Sequence, residues 1–422
     1  MTAPLPVTEA DAVVVGAGAF GYATAYFLAK LGAGRVVLLD KGTPGDGSSA
    51  RAAGLFKMVQ ADEVMTRLSH RSAEIVRGFE AETGVAIPHH DSGSILAARG
   101  AAHDPLIRAE IAQSLGWGVE LEEVDAAEVR RLAPWLDGQP FEIAVHVRGD
   151  MYVEEPPSVL EAFHRAAEAL GVAIVGEAPA TAVLADRGRV SGVATPRGTI
   201  AAPIVVDAAG AWARMLGQTA DADVAMAPVR HQLAISQPIA GIAPDEPILR
   251  LIDVSAYLRP CRGGLMYGGF EADPAVMAPP ADPAWSIGDL AIDAGVPEEM
   301  ADRLAVHASS LGNVIPSEVR GGLLTMTPDG RFLAGPSPDL DGLWINTGCN
   351  GSGFSFAPAI GEALAGWITA GEPTVDMATL DPRRFPARLP DGDLAARGVY
   401  QYANYYTPPD LAEKHGGLNV AG

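Results

Sequence analysis

The sequence predicts an α/β fold with more than one domain, and three observations carry that prediction. The first fifty residues have the pattern of strand, glycine-rich turn, helix and second strand. A later segment, residues 204–212, repeats a buried strand that runs into a glycine turn. A chain of 422 residues with 48% hydrophobic content is long enough for about two domains, each with its own core.

The N-terminal unit begins with a strand-like run of three valines at residues 13–15. Gly16, Gly18 and Gly21 follow with the spacing G-x-G-x-x-G, ahead of a helix-like stretch over residues 22–31. The first glycine permits the tight turn, the second lets the backbone approach a pyrophosphate, and the third lets helix and strand pack closely. The helix N-terminus offers unpaired N–H groups to the phosphates. This order predicts a Rossmann-like dinucleotide-binding unit.

The second strand of this unit, residues 35–39, ends at Asp40. A carboxylate at about this position binds the ribose hydroxyls of an adenine dinucleotide. The alternative is an ordinary glycine-rich turn between a strand and a helix. That alternative does not account for the strand, helix, second strand and acid occurring in this order.

Composition excludes several classes of partner. The chain has 52 acidic and 30 basic residues, a formal net charge of −22, which argues against nucleic acids and anionic membranes. We find neither a signal-peptide pattern nor an apolar run of about 18 residues, so we expect no membrane span. The two cysteines, Cys261 and Cys349, lie far apart without metal-ligand spacing. We therefore expect no metal site, no disulfide framework and a cytoplasmic location.

The stretch after Asp40, residues 41–55, is predicted as a long loop dense in glycine and serine. Long loops in compact domains are usually functional or disordered, and small side chains let the backbone lie against a flat ligand. Ser48 and Ser49 are suited to cap a helix over phosphates. A flexible surface loop is an equally good interpretation of this stretch alone.

The G-x-G-x-x-G motif, the ribose acid and the run Gly-Ser-Ser-x-Arg-Ala-Ala-Gly-Leu at residues 47–55 resemble the D-amino-acid-oxidase-like family of FAD-dependent oxidoreductases. That family includes glycine and sarcosine oxidases and the sarcosine and dimethylglycine dehydrogenases. The resemblance extends to residue 375. It implies a Rossmann-like FAD-binding domain interleaved with an α+β substrate domain built on a mixed sheet.

The resemblance also implies the domain boundaries. The FAD-binding domain would be discontinuous, comprising residues 1–85, 150–225 and 325–375. The substrate-binding domain would comprise residues 86–149 and 226–324. The C-terminal extension, residues 376–422, resembles the linker that leads to a folate-binding domain in dimethylglycine-dehydrogenase-like proteins. The alternative is a tail packed on its own domain or on a partner subunit.

The resemblance assigns FAD contacts to three further segments. The Ala-Ala-Gly turn within residues 204–212 is the second fingerprint, and Ala180 matches a position near the adenine. A glycine-rich loop then leads into a helix whose positive N-terminus would face the flavin ring and stabilise its reduced form. The predicted FAD-binding residues are Gly16, Gly18, Ala19, Phe20, Gly21, Asp40, Lys41, Gly47, Ser48, Ser49, Arg51, Ala52, Ala53, Gly54, Leu55, Ala180, Ala209, Gly210, Trp212, Gly348, Asn350, Gly351, Ser352, Gly353, Phe354 and Ser355.

Two strand-like segments in the predicted substrate domain carry polar side chains. The predicted catalytic or substrate-contacting residues there are His231, Tyr257 and Arg259, with Arg230 as a further candidate. Each is equally well explained as a solvent-facing residue, because the faces of antiparallel strands alternate.

A glycine-flanked strand, residues 263–269, is expected to pass close to the flavin. Its Met266 stands where the resemblance to sarcosine oxidases would place a lysine that promotes the reaction of dioxygen with reduced flavin. A cation stabilises superoxide and a thioether does not. We therefore include Met266 among the catalytic positions and predict a dehydrogenase rather than an oxidase.

Other departures from the family pattern concern the cofactor tether and the substrate carboxylate. The cysteine and histidine that tether flavin in relatives correspond to Gly322 and Arg51, so we predict non-covalent FAD. The two cations that bind the substrate carboxylate in monomeric sarcosine oxidase correspond to Gly54 and Ser355. A carboxylate would then fall to other residues, such as Arg259 or Arg230.

The resemblance implies oxidation of the C–N bond of a secondary or tertiary amine or amino acid, such as sarcosine or dimethylglycine. Hydride transfer to the flavin would give an imine that water hydrolyses. Alternatives are oxidation of D-amino acids, cyclic imino acids or 2-hydroxy acids on the same scaffold, or a flavin subunit of a larger complex. The expected partners are a small-molecule substrate and an electron acceptor of undetermined kind, with a homo-oligomer or partner subunit possible.

Overall fold

A computed structural model describes residues 4–280, 282–312, 314–385 and 388–406. Within these residues the strands are β1 (Ala12–Val15), β2 (Val36–Leu39), β3 (Leu55–Phe56), β4 (Ser94–Ala98), β5 (Leu121–Glu123), β6 (Ile143–Val147), β7 (Met151–Tyr152), β8 (Ala173–Val175), β9 (Ala182–Asp186), β10 (Arg189–Thr195), β11 (Gly198–Ala201), β12 (Ile204–Asp207), β13 (Ala227–Ser236), β14 (Ile248–Leu251), β15 (Ala256–Cys261), β16 (Gly264–Gly269), β17 (Pro316–Met326), β18 (Leu333–Pro336) and β19 (Leu343–Thr347).

The same residues form α-helices that connect and cover these strands. They are α1 (Ala19–Lys30), α2 (Glu63–Thr83), α3 (Asp104–Gly116), α4 (Ala126–Leu132), α5 (Pro157–Ala169), α6 (Ala213–Gln218), α7 (Gly295–Leu304), α8 (Gly353–Ala370) and α9 (Asp391–Ala403). In the described part of the chain, no helix combines the length and the apolar character that crossing a bilayer requires.

A six-stranded sheet has the order β18-β19-β12-β1-β2-β8 and is parallel except for the β18–β19 pair. Its central strand β1 is buried on both faces, as parallel sheets require. Val14 packs into the core formed with α1, α2, α5 and α8. Val13 and Val15 pack on the opposite side, against the small sheet β11-β10-β9. The predicted βαβ unit thus forms the centre of an α/β layer structure.

An eight-stranded sheet has the order β17-β13-β16-β15-β14-β4-β6-β5. This sheet is mixed, because β14 and β4 are parallel while all other neighbouring strands of the sheet are antiparallel. Its strands come from two separate stretches, residues 94–147 and 227–326. The mixed sheet and its interrupted origin agree with the predicted fold class. The division of the chain into an FAD-binding and a substrate-binding domain remains a prediction.

Part of the C-terminal extension packs on its own chain. A Cβ built on Gly398 of α9 would lie 3.2 Å from the Cβ of Met326 on β17. Tyr402, near the end of this helix, is fully buried. The described portion therefore follows the second of the two sequence-based interpretations, a tail packed on its own domain. Residues 386–387 and 407–422 lie outside the described residues.

Candidate active site

Turns from the six-stranded sheet and side chains from the eight-stranded sheet line one cavity of about 790 Å³. The turns after β1 and β12 contribute Gly16 and Ala208, because carboxyl ends of parallel strands meet at one sheet edge. The strands β13 and β15 contribute His231 and Tyr257. The volume lies in the upper part of the range of about 300–1,000 Å³ that is typical of ligand sites. This cavity is therefore the candidate active site.

The glycine turn after β1 requires glycine for steric reasons. Gly16 has a φ of +102°, and a Cβ there would lie 2.4 Å from the carbonyl oxygen of Ala208. A Cβ on Gly21 would lie 1.7 Å from the carbonyl oxygen of Gly16. The first helical N–H, on Ala19, donates to the Oγ of Ser49 at 3.0 Å. The helix end therefore faces the cavity at close range, as the sequence motif predicts.

Asp40 lines the cavity at the end of β2. Its two carboxylate oxygens accept bonds from the backbone N–H groups of Ala17 at 2.8 Å and Gly42 at 2.9 Å. Burial raises the pKa of the Asp40 carboxyl, against the opposing effect of these two bonds. A carboxylate has about four acceptor sites, so capacity remains for ribose hydroxyls.

All but three of the predicted FAD-binding residues line the cavity, and their function there remains a prediction. The exceptions are Gly21, Gly348 and Asn350, which do not line it. Gly21 packs α1 against the turn, as described above. Asn350 accepts from the N–H of Thr327 at 2.9 Å and donates to the carbonyl of Gly348 at 2.7 Å. These two residues shape the loop before α8 instead of facing a ligand.

Arg259, which the sequence predicts to contact substrate, lies outside the cavity lining. Its side chain is fully buried and does not line the cavity. The guanidinium donates to the carbonyls of Ala53 at 2.8 Å and Glu154 at 2.9 Å, and lies 4.7 Å from the ring centroid of Tyr152. A buried guanidinium needs such acceptors, so Arg259 joins β15 to the loop after β3 and the segment after β7.

Met266 and Arg230 also lie away from the cavity lining. Met266 is fully buried in an apolar cluster with Leu233, and the cavity residue Ala53 packs against this cluster. Arg230 forms an ion pair with Asp293 at 3.0 Å. Arg230 precedes His231 on β13, so alternation turns its side chain away from the site. Met266 pairs with Ile235 and Arg259 on the sheet face that also carries His231 and Tyr257, and Ala53 packs against its cluster there.

His231 and Tyr257 do line the cavity, and they begin a chain of hydrogen bonds. The Nε2 atom of His231 lies 2.9 Å from the hydroxyl of Tyr257, and its Nδ1 lies 2.7 Å from the hydroxyl of Tyr402. The hydroxyl of Tyr402 donates to Glu271. While Glu271 is ionised it only accepts, so Tyr402 accepts from Nδ1–H and Tyr257 donates to Nε2. The free lone pairs of Tyr257 are then available to the cavity.

Burial lowers the pKa of His231 to about 4, so the folded protein holds this ring neutral. The unfolded chain binds the proton near pH 6.5, and the free energy of unfolding therefore decreases as pH falls from about 6.5 to about 4. One pKa unit corresponds to about 1.4 kcal/mol. Because part of the ring faces the cavity, we expect a loss on the order of 2 kcal/mol across this window.

Urea unfolding of the wild type and of His231→Gln at several pH values measures this term. The difference between the two curves isolates His231 from the other titrating groups. We expect the variant to lack the decrease below pH 6.5. Parallel curves from pH 4 to pH 7 would show that His231 is not held neutral.

Sequence reasoning missed a group of cavity residues at the end where β3 and the C-terminal segment meet. They are Lys57, Phe270, Tyr405 and Tyr406, and all four line the cavity. The rings of Phe270 and Tyr405 stack with centroids 4.1 Å apart and an interplanar angle of 12°. The aromatic run Tyr-Gln-Tyr-Ala-Asn-Tyr-Tyr at residues 400–406 was the available signal, because such density is unusual in an extended linker.

Lys57 is a buried cation without an opposite charge at contact distance. Its residue is 8% exposed, and its Nζ donates to the hydroxyl of Tyr405 at 2.9 Å. The same hydroxyl lies 2.6 Å from the Oγ of Ser352, the residue that precedes α8. Across the described ranges, the partners of the Lys57 Nζ are the hydroxyl of Tyr405 and the rings of Tyr405 and Tyr406, whose centroids lie 5.0 and 6.0 Å away, and none of them is a carboxylate. A buried charge is costly unless it is paired, so the cavity at this end is suited to an anion.

The chain matches one protein family over most of its length. Residues 11–367 match the family described as FAD dependent oxidoreductase. Mitochondrial sarcosine dehydrogenase of Homo sapiens is 30% identical over 419 residues, covering 96% of this chain and 44% of the relative. Mitochondrial dimethylglycine dehydrogenase of Mus musculus is 28% identical over 395 residues, covering 89% and 44%. The chain therefore spans less than half the length of these relatives.

Solved structures show the same architecture. The crystal structure of L-proline dehydrogenase from P. horikoshii aligns with a TM-score of 0.81 and 25% identity. The alignment covers 90% of this chain and 98% of that one. The glycine turn, the Asp40 carboxylate and the N-terminus of α8 at one cavity fit a dinucleotide cofactor on the geometry of this chain alone.

Proposed function

This chain belongs to the family of FAD-dependent oxidoreductases. We propose that it oxidises the carbon–nitrogen bond of an amino acid whose nitrogen is a secondary or tertiary amine, of the sarcosine and dimethylglycine type. Bound FAD would supply the acceptor for the hydride. The residues that would hold it line the turn after β1, the loop from Asp40 to Leu55, the end of β12 and the N-terminus of α8.

The observation that carries this proposal is the unpaired ammonium of Lys57 in the cavity wall. An amino-acid substrate brings a carboxylate, which would complete the ion pair that Lys57 lacks. The hydroxyl of Tyr405 fixes the ammonium from one side at 2.9 Å and leaves its other N–H groups free to donate. This assignment replaces the expectation that Arg259 or Arg230 holds the carboxylate.

The amine nitrogen of the substrate also needs a binding partner in the cavity, and Tyr257 would provide it. Its hydroxyl donates to His231, so its lone pairs would accept the N–H of a secondary amine such as sarcosine, whereas a neutral tertiary amine has no N–H for this contact. Hydride loss needs a neutral amine, and the neutral His231 brings no negative charge that would hold the amine protonated. The aromatic wall of Phe270 and Tyr405 would keep water from the reacting carbon. The chain's own contribution is thus orientation and exclusion of water.

Anaerobic mixing of the purified holoenzyme with candidate substrates tests the proposal through bleaching of the flavin absorbance. The panel contains sarcosine, dimethylglycine, L-proline, D-alanine and lactate. Bleaching by the N-methyl amino acids supports the proposal. Bleaching by L-proline alone would favour oxidation of cyclic imino acids, which the similarity to an L-proline dehydrogenase also suggests. Bleaching by lactate alone would contradict amine oxidation.

We also propose that the enzyme is a dehydrogenase. The support is the thioether of Met266, which is buried on the sheet face that carries His231 and Tyr257 and cannot stabilise superoxide as a lysine would. The measurement is the rate at which dioxygen reoxidises the reduced flavin, compared with an artificial acceptor such as a quinone. Fast reoxidation by dioxygen would show that another cation, with Lys57 as the cavity's candidate, takes over that role.

Acid precipitation of the holoenzyme is expected to release FAD into the supernatant. Gly322 has no side chain to form a tether, and the guanidinium of Arg51 donates to the carbonyls of Asp46 and Gly47. The absorbance of supernatant and pellet measures the outcome. Flavin retained in the pellet would contradict the prediction and direct attention to Cys349, a free thiol in the cavity wall.

A further inference from the structure

A segment between β16 and α7 leaves the eight-stranded sheet and lies along the cavity beside the dinucleotide-binding turns. We call it the strap and define it as residues 276–280 and 282–290. Pro280, Asp282 and Trp285 of the strap line the same cavity as Asp40 and Ala180. The strap therefore belongs by sequence to the predicted substrate domain but lies at the predicted adenosine end of the cofactor site.

Both ends of the strap are anchored to β13. On one side, the N–H of Met277 donates to the carbonyl of Pro228 at 2.9 Å. Just beyond the other end, the backbone of Asp293 and the side-chain amide of Gln232 exchange two hydrogen bonds, at 2.8 and 2.9 Å. Gln232 is 2% exposed, so these bonds are shielded from water. The course of the strap is therefore set by the sheet.

The C-terminal part of the strap docks on the turn after β12. Ile287 and Leu290 are buried with Ala211 and with Leu323 of β17 in a small apolar cluster that is separate from the main cores. Ser286 and Asp289 form a capping box at this point, which ends the strap in a single helical turn. The strap therefore docks on this turn through the apolar contacts of one small cluster.

Trp285 completes a cluster of two indoles and a cation at the cavity. The ammonium of Lys41 lies 4.4 Å from the ring centroid of Trp212 and donates to the carbonyl oxygen of Trp285. The two indole rings are 5.7 Å apart at an angle of 51°. Lys41 and Trp212 were predicted cofactor contacts from sequence, whereas the pattern around Trp285 gave no such signal.

We propose that the strap is part of the cofactor site, with the indole of Trp285 binding the adenosine part of FAD. Aromatic rings bind nucleobases through stacking, which tolerates a range of geometries. The strap would then retain a cofactor that has no covalent tether. The proposal rests on the FAD dependence of the family and is independent of which substrate the enzyme oxidises.

The experiment measures FAD release from the holoenzyme after dilution, followed by recovery of flavin fluorescence. In Trp285→Ala we expect the dissociation constant for FAD to rise about 10- to 100-fold, as loss of one base–aromatic stack does elsewhere. Affinity of the apoprotein for FMN, which lacks adenosine, is expected to change less than twofold. Trp285→Leu keeps apolar volume for docking and is expected to show the same contrast if the alanine variant is unstable.

Trp135→Phe provides the matched control. Trp135 is half-buried, donates to Glu246 and does not line the cavity, so FAD release should equal that of the wild type. Two results would overturn the proposal: FAD affinity within twofold of wild type in both Trp285 variants, or equal losses of FAD and FMN affinity. A holoenzyme that binds FAD tightly but oxidises no amine would refute the proposed function. The FAD measurements would still test the role of the strap in that case.

Discussion

Replacing Lys57 by methionine is expected to raise the dissociation constant of carboxylate-bearing substrates by about 100-fold or more. Removing one partner of a buried charge pair costs about 2–5 kcal/mol. Lys57 is 8% exposed, and among the described residues the hydroxyl of Tyr405 is the one polar partner of its ammonium. Methionine retains most of the apolar stem, so packing around it should change little. The effect should therefore fall on binding.

The decisive comparison is between an acid and its neutral amide. Sarcosine and sarcosine amide, followed by anaerobic flavin bleaching, should differ strongly in the wild type and little in Lys57→Met. Tyr405→Phe removes the positioning hydroxyl but retains the charge, so a loss of only a few fold is expected. If Lys57→Met weakened acid and amide equally, Lys57 would have a structural or electrostatic role and no specific contact with the carboxylate.

Replacing Gly21 by alanine is expected to abolish FAD binding and to lower the free energy of unfolding by about 3 kcal/mol or more. The new Cβ would lie 1.7 Å from the carbonyl oxygen of Gly16, which is backbone and cannot rotate away. Helix α1 would have to move away from the turn, and its N-terminus would leave the phosphate position. Thermal unfolding and flavin content of the purified protein measure both effects.

Gly78→Ala is the matched control for this substitution. Gly78 lies inside α2, and no atom lies within 4 Å of a Cβ built there. Alanine is favoured over glycine in helices by about 1 kcal/mol, so this variant should gain stability. A Gly21→Ala protein that retained wild-type flavin content would show that α1 tolerates displacement, against the packing argument.

The first unit could be predicted from sequence because its signals are local. The turn geometry of Gly16, the packing contact of Gly21 and the position of Asp40 all follow from spacing within forty residues. The same logic located β13, β15 and β16, since β-branched and aromatic runs mark strands.

The substrate end could not be predicted in this way, because a strand has two faces and the local pattern does not say which faces the ligand. On β13, His231 lines the cavity whereas the adjacent Arg230 pairs with Asp293 on the other face. Arg259 shares the sheet face of His231 but donates to carbonyls from two distant segments. Lys57 acquires its setting only when Tyr405 packs beside it, 348 positions further along the chain. The aromatic run around Tyr405 is visible in the sequence, but the sequence does not show that it packs beside Lys57.

The bond between Lys57 and Tyr405 also constrains biosynthesis. A ribosome adds about 5–20 residues per second, so the 348 positions between the two partners take about 20–70 s to translate. Likewise, β1 cannot pair with its parallel neighbour β12 until β12 has been translated, and β12 cannot pair with β19 until β19 has been translated. Until β12 has been translated, the nascent N-terminal unit therefore keeps an open sheet edge, a state exposed to misassembly. The cavity lining is likewise completed late, because it includes Tyr405 and Tyr406 as well as Gly16.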